Sequence, residues 1–533
     1  MRRPFIVLAV SLCSLCVGLP AHAQKKEKKK NAGKPYEKTQ YKKHNRDRIA
    51  DLASGKVDPV IAYFTQYLEA HPKDLESLYG LTLAYGLADQ GGKADRTLRR
   101  ALDTGLDMGR FIAGPRTLTK ALRERALFKE AARDLRLLHG PMLGDLRPDG
   151  CTVWLRTAKA ARIRIEVGET EGNPVANFTG ETRAEDDFTG TVRLHGLRPG
   201  VSYPYRVFID DQLADRKLPQ RLRLPDDLNR KFHIVFGGGA GYTPWYERVW
   251  STIELHEPTA LLLLGDNVYI DTPEVPEAQR YCYYRRQSQG PFRSLTAHTP
   301  VYAIWDDHDF GTNDCHGGPA INRPAWKPEV WKVFQENWPN PPYGGAGKHP
   351  GSYYTLQLGP VTFFMLDTRY YRSPGSSMLG PVQLAWFKEQ LLASGATFKV
   401  ICSSVPISAG TKGGSKDTWD GYPEEREKIL SWIAEEKING VFVLAADRHR
   451  SDAWKTERPE GYPIYEFMSS RLTNVHTHPV IKASIFGYNK KCSFGKISFD
   501  FTRADPTVTY TIFSIDNEQI WEMSLGLKKD LSF

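Results

Sequence analysis

Residues 260–269 read ALLLLGDNVY, and residues 301–310 read VYAIWDDHDF. In both, an apolar run without polar alternation stops abruptly at carboxylates. FHIVFGG (232–238), VTFFMLD (361–367), FKVICSS (398–404) and GVFVLAAD (440–447) repeat the apolar run, and VTFFMLD and GVFVLAAD again end at Asp. Strands apolar on both faces are central strands of a layered fold with helices on its outside. Ligands in such folds collect at the carboxyl ends of the strands, where these charges lie. The pattern predicts an α/β domain over residues 227–533.

Upstream, the pattern changes twice. From 50 to 137, VIAYFTQYLEAHP and LESLYGLTLAYGLADQGG place apolar residues at three- and four-residue spacing, interrupted at Gly91-Gly92. The unit resembles a tetratricopeptide repeat, with Pro72 closing one helix and Ala84 and Ala88 at close-packing positions. One or two repeats are too few for a free-standing solenoid, so the segment is expected to dock on the neighbouring domain, with a protein partner as the weaker role. From 138 to 226, CTVWLRT, RIRIEVGE and YPYRVFID alternate apolar and polar residues between turn clusters, which predicts a small antiparallel β-sandwich of immunoglobulin or fibronectin type.

The N-terminus reads as an export signal over 1–23: Arg2-Arg3, an apolar stretch from Phe5 to Leu19, and Ala21-His22-Ala23 as a cleavage site. Its start loosely resembles a twin-Arg signal, and a periplasmic, cell-surface or secreted location is expected. No stretch is long enough for an integral membrane segment. Lys25 to Arg48 is a dense basic run, and residues 24–49 read as a disordered arm. Much of the net charge of +10 sits there, and the nearly balanced remainder gives no indication of specific nucleic-acid binding. After Cys13 and Cys16 leave with the signal, Cys151, Cys282, Cys315, Cys402 and Cys492 remain, without a CxxC pair. That set allows one disulfide but no structural zinc framework.

Four strand ends carry Asp: Asp266, Asp306-Asp307-His308-Asp309, Asp367, and Asp447-Arg448-His449. A single Asp in such a place is usually a cap or turn former. Four together, two with His close by, suit a cluster for divalent or trivalent ions. Paired ions of that kind activate water and neutralise a phosphoryl group. Competing motifs fail: Tyr242 replaces the third glycine of a dinucleotide loop, His349 follows Gly347-Lys348 where a Walker loop needs Ser or Thr, and Ser403-Ser404 does not fit GxSxG.

Taken in order, GDNVY (265–269), WDDHDFGTND (305–314), LDTRYYR (366–372), WDGYPEER (419–426), ADRH (446–449) and EFMSSRLTN (466–474) resemble the alkaline phosphatase D family, the PhoD-like branch of the calcineurin-like metallophosphoesterases. The resemblance runs from about Gly140 to the C-terminus. It implies an exported phosphoesterase that hydrolyses phosphate mono- or diesters through a metal-activated hydroxide. Asp266 would bridge two metals, and Tyr269, Asp307, Asp447 and His449 would complete the ligand set. Asp307 and His308 are the implied catalytic pair, with His308 as proton donor or charge stabiliser. Asn267, Arg369 and Arg372 are the implied substrate contacts; an Arg beside a strand end is equally often a salt-bridge partner, so both readings of the two arginines stand. Asp306 and Asp309 would orient the ligands.

The chain departs from the family's pattern at two places. Phe236-Gly237-Gly238-Gly239 stands where the family has F-x-S-C, so Gly239 offers no thiolate, and Ala446 replaces a glycine. The implied ions are therefore two or more of Ca, Mn, Mg, Zn or Fe on oxygen and nitrogen donors. A replacement thiolate from Cys315 is a minor alternative. The rival reading is a degenerate protein that holds a phosphorylated ligand or recruits a partner.

Overall fold

The uninterrupted apolar strands serve two cores at once. In the strand Ala260–Leu264, Leu262 and Leu264 join Ile234, Phe236, Ile304, Phe363 and Val400 in a core between two sheets. Leu261 and Leu263 join Val235, Val301, Ala303 and the helix residues Trp250 and Tyr281 in a second core. Alternate side chains point to opposite faces, so a strand with a core on each face has no polar positions.

The computed structural model describes residues 40–170, 173–214 and 220–533. The export signal and the arm as far as residue 39 lie outside them. One sheet has six strands in the order Val301–Ile304, Ala260–Leu264, Lys231–Gly237, Ser493–Asp500, Thr507–Ser514 and Gln519–Gly526. The other has seven: Tyr354–Leu358, Val361–Met365, Phe398–Cys402, Val441–Ala445, Ile464–Met468, Ser451–Thr456 and Phe486–Tyr488. Phe499 of the first sheet meets Phe398 of the second at 5.7 Å between ring centres. Parallel register decides what the strand ends do. Leu264 pairs with Ile304, so the turns carrying Asp266 and Asp306–Asp309 leave the sheet side by side.

Before this α/β unit come two antiparallel sheets. One is built from Leu137–Arg147, Gly150–Thr157 and Thr189–Arg193, the other around Ala161–Thr170 and Ser202–Ile209. Helices between Tyr41 and Ala132 precede them, and Gly91-Gly92 opens the helix Gly91–Asp103 after the break that follows Leu75–Leu87. Helical, β and α/β parts pack as one unit from Gln40 to Phe533. Cys151, Cys282, Cys315, Cys402 and Cys492 are all free thiols. Among the described residues, no helix is long and apolar enough to cross a membrane.

One expectation is corrected here. Residues 41–49, assigned to a disordered arm, belong to helix α1 (Tyr41–Ala53), whose Tyr41, His44, Asn45, Arg46 and Ile49 are buried. Composition misled because the basic residues have partners elsewhere in the chain: Arg46 donates to the Tyr269 carbonyl at 3.2 Å and forms an ion pair with Asp271. Tyr41 donates to Asp74 at 2.5 Å, and its carbonyl accepts from Arg285 at 3.0 Å.

The helical segment is fixed to the α/β unit by a buried charge network. Arg110 donates to Glu76 at 2.7 and 3.0 Å, Tyr281 donates to the same carboxylate, and Tyr79 stacks on Tyr281 at 5.8 Å. Removing the Glu76 charge leaves Arg110 buried without a counter-ion. Glu76→Gln is expected to destabilise the fold by about 3–5 kcal/mol, read as a fall in the denaturation midpoint; an unchanged midpoint would show that the network contributes nothing.

Candidate active site and metal cluster

The turn after Ala260–Leu264 is tightly constrained. Gly265 has φ +102°, and a Cβ there would lie 2.5 Å from the Asp306 Cβ, so only glycine lets the two turns approach. Asp266 follows at φ +54°. Asp271, Asp447 and His449 are also left-handed, at φ +43°, +66° and +47°. Such backbone persists for non-glycine residues only where surrounding contacts hold it, and it gathers at functional sites.

These turns bring most of the expected ligands together. The Asp266 Oδ2 accepts from the Tyr269 hydroxyl at 2.7 Å and lies 3.6 Å from the His449 Nε2. The Tyr269 oxygen is 3.2 Å from the same His449 nitrogen. Asp266, Asp307 and His308 present donor atoms within 4.8 Å of one another. Asp447 is not in that group, and Arg448, Asp417, Asp306 and Lys412 are the charges that act on it. Asp367 is a turn former, accepting from the amides of Arg369 at 2.7 Å, Tyr370 at 2.9 Å and Ser352 at 2.8 Å. Among the described residues Cys315 joins none of the candidate clusters.

Asp306 and Asp309 organise the second turn. Asp309 accepts from the amides of Asn267, Val268 and Asp306 at 3.0–3.1 Å, and with Asp306 forms a reciprocal cap on the short helix Asp307–Phe310. Asp306 accepts from Arg369 at 2.6 Å and Ser404 at 2.7 Å. Burial, with Asp307 and Asp266 nearby, lifts its carboxyl to about 7 against the pull of Arg369. Burial and the charges of Asp417 and Asp306 lift Asp447 to about 8.

His308 has the opposite environment. Burial disfavours its cation, yet Asp307, Asp266 and Asp271 together push it up to about 10. Its Nδ1 is paired with Asp271, and its ring lies 4.2 Å from that of Tyr269, tilted by 32°. Asp271 was missed in the sequence because it stands in a loop with no motif of its own.

Of the substrate contacts read for Asn267, Arg369 and Arg372, that of Arg369 is corrected, whereas the Asn267 Oδ1 and one Arg372 Nη are buried without a hydrogen-bond partner among the described residues. Arg369 is wholly buried and bound to Asp306 and Asp417, and Arg372 donates to Asp417 at 2.6 Å. Both guanidinium groups are engaged by carboxylate, so the salt-bridge reading holds. Asn267 is buried with its Nδ2 on the Ile304 carbonyl at 2.8 Å. A cation over the cleft comes instead from the N-terminal helix: the Lys42 Nζ sits 4.6 Å above the Tyr269 ring, near Asp266 and Asp271. Asn474, the last residue of EFMSSRLTN and unassigned by the sequence pattern, donates to the Tyr269 hydroxyl at 2.6 Å.

The donor set suits hard or borderline cations. Among the described residues, Asp266 Oδ1, Asp306 Oδ2 and His449 Nδ1 are buried without a hydrogen-bond partner. Groups of that kind are costly unless an ion satisfies them.

The two departures from the family pattern are linked by packing. A Cβ on Gly238, where the family has Ser, would lie 2.6 Å from the Ala446 Cβ; Ala446 thus fills the space that a side chain at 238 would need. Gly239 has φ +71°, and a Cβ there would come within 2.9 Å of the Arg471 amide.

Residues 234–505, just over half the chain, match the family of PhoD-like phosphatases. Residues 134–223 match a domain of unknown function, DUF7800. Alkaline phosphatase D of Bacillus subtilis (strain 168) is 23% identical over 378 residues, covering 58% of this chain and 64% of that protein. Of solved structures, PhoD superposes with a TM-score of 0.59 at 18% identity, covering 71% of this chain and 91% of that one. A purple acid phosphatase from yellow lupin (Lupinus luteus) seeds gives 0.53 at 12% identity, covering 73% and 75%. The fold is thus shared with these two solved structures. The chain belongs to the PhoD-like phosphatase family.

The packing pair gives a direct test. Gly238→Ser is expected to destabilise by about 1–3 kcal/mol through overpacking against Ala446 and the Gly265 carbonyl, 2.6 and 2.9 Å from the added Cβ, and Ala446→Gly in the same chain is expected to recover the part due to Ala446. A double-mutant cycle in denaturant that returns no coupling would remove the link.

Proposed function

We propose that this protein hydrolyses phosphate esters and works outside the cytoplasm after export. The observation that carries the chemistry is the convergence of Asp266, Asp307 and His308 at adjacent strand ends in a member of this family. Export rests on Arg2-Arg3, the apolar stretch and Ala21-His22-Ala23 alone.

Asp266, Tyr269, Asp307 and His449 would hold the metal ions, with Asp447 on the Asp417 side. Bound there, divalent or ferric ions would supply Lewis-acid neutralisation of the phosphoryl oxygens and a water of lowered pKa. The remaining work falls to the chain. His308, whose Nδ1 is paired with Asp271, is placed to give its proton to the departing alkoxide. The Tyr269 ring limits the tilt of that imidazole. Arg369 and Arg372, spent on Asp306 and Asp417, support the floor of the site. Lys42 then supplies the mobile positive charge, which favours a dianionic monoester over a monoanionic diester. In this reading the helical segment holds α1 over the cleft.

Hydrolysis of an aryl phosphate is expected to vanish on chelation and in Asp266→Asn, and to fall about 10²–10⁴-fold in kcat in His308→Gln. Turnover indifferent to both chelator and Asp266→Asn would end the proposal. Lys42→Met is expected to raise KM for an aryl monophosphate by about tenfold, the equivalent of ~1.4 kcal/mol, while leaving a bis-aryl diester nearly unchanged. Equal losses on both substrates would show that Lys42 does not discriminate by charge.

A further inference from the structure

The loop after Asn474 places two more imidazoles beside His449. His449, His476 and His478 each offer a ring nitrogen within 4.8 Å of the others. Their ring centres are 5.3 Å apart for 449–476, 5.6 Å for 449–478 and 4.6 Å for 476–478.

The loop is held in place. The His476 amide donates to Asn474 Oδ1 at 3.1 Å, and Thr477 donates to the His449 carbonyl at 3.0 Å. Asn489 donates to the His478 carbonyl at 2.9 Å. Pro479 biases His478 toward extended backbone, where residues two apart share a face. Asn474, at the base of the loop, also touches the Tyr269 hydroxyl, and the Asn474 amide donates to the Gly239 carbonyl at 3.1 Å. The loop carrying the histidines is therefore the one that packs on the thiolate-free turn.

His449 has two distinct edges. Its Nε2 faces Tyr269 and Asp266, whereas its Nδ1 is buried without a hydrogen-bond partner among the described residues. A buried, unpartnered imidazole nitrogen beside two further imidazoles is a ligand set in search of a cation. Three imidazoles with no carboxylate among them suit a borderline ion better than Ca or Mg, which take oxygen donors.

We propose that His449, His476 and His478 bind one transition-metal ion of the Zn, Ni or Cu class at the rim of the cleft, separate from the ions of the Asp266 group. The site does not require phosphoester hydrolysis; it shares only His449 with that reading.

The test uses the full chain, stripped with chelator, dialysed against Zn²⁺ and counted by elemental analysis, with Cu²⁺ loading and electron paramagnetic resonance as a second readout. Wild-type protein is expected to hold one more zinc equivalent than His476→Ala/His478→Ala. Its copper spectrum should show nitrogen couplings that the double variant lacks. Asp266→Asn should keep the histidine-held ion, so the three substitutions together should lose more than Asp266→Asn alone. Equal zinc counts in wild type and the double variant would overturn the site while leaving the phosphoesterase reading standing. Losses that coincide with those of Asp266→Asn would also overturn it, because the histidines would then belong to the inner cluster. His476 is exposed, so His476→Gln, which preserves shape and polarity, reads the same difference if the double variant folds poorly.

Discussion

One buried carboxylate sets the geometry on which the cleft depends. Asp309 accepts the amides of Asn267 and Val268 from one strand-end turn and that of Asp306 from the next. It belongs to the same single helical turn as Asp307 and His308, so the grip fixes those two relative to Asp266 and Tyr269. Burial and the Asp266 charge press its carboxyl well above the ordinary range, and the three amide donors oppose them. The turns approach so closely that Gly265 has no space for a side chain. A looser junction would still leave the acids at the carboxyl end of the sheet, but not within reach of a shared ion.

Charge is distributed unevenly across this junction. Asp417 absorbs both Arg369 and Arg372, and their guanidinium groups hold its carboxyl far below the usual range in spite of burial. Arg369 also engages Asp306 and lies 3.9 Å from Asp307, and the other positive charges beside Asp266 and Asp307 are His308 and Lys42. Burial first, and the neighbouring carboxylates after it, raise the carboxyls of Asp306, Asp307 and Asp447. A cation relieves that repulsion directly. The arginines are thus better understood as the counter-charge that lets the floor of the site fold, leaving the inner oxygens for ions.

Legibility in the sequence followed the range of the forces involved. Strands with two apolar faces announce themselves locally, and so do the carboxylates at their ends. The approach of Asp266 and Tyr269 to Asp307 and His308 was readable from those ends because parallel neighbours bring them together, whereas His449 arrives from the other sheet. Asp447 ends such a strand too, and both Asp417 and Asp306 act on its carboxyl. Arg369 and Arg372 could not be decided, since a strand-end arginine looks the same whether it meets phosphate or Asp417. His476 and His478 were passed over because an H-x-H in a loop has meaning only once its neighbour His449 is known. Asp271 and Lys42 were hidden for the same reason, being far apart in the chain and meaning little until they are seen beside one ring.

Helix α1 shows how composition fails when charges are long-range. A run with this density of Lys and Arg, read alone, cannot bury enough apolar surface to fold. Here Tyr41, Ile49 and Leu52 are buried, and Arg46 between them meets Asp271, an acid that lies far along the chain. Arg46 neutralises Asp271, the same carboxylate that holds His308. The N-terminal helix and the proton-carrying imidazole are therefore coupled through one acid. Any movement of α1 changes both the charge above Tyr269 and the partner of His308, so the segment that composition assigns to solvent is part of the electrostatics of the cleft.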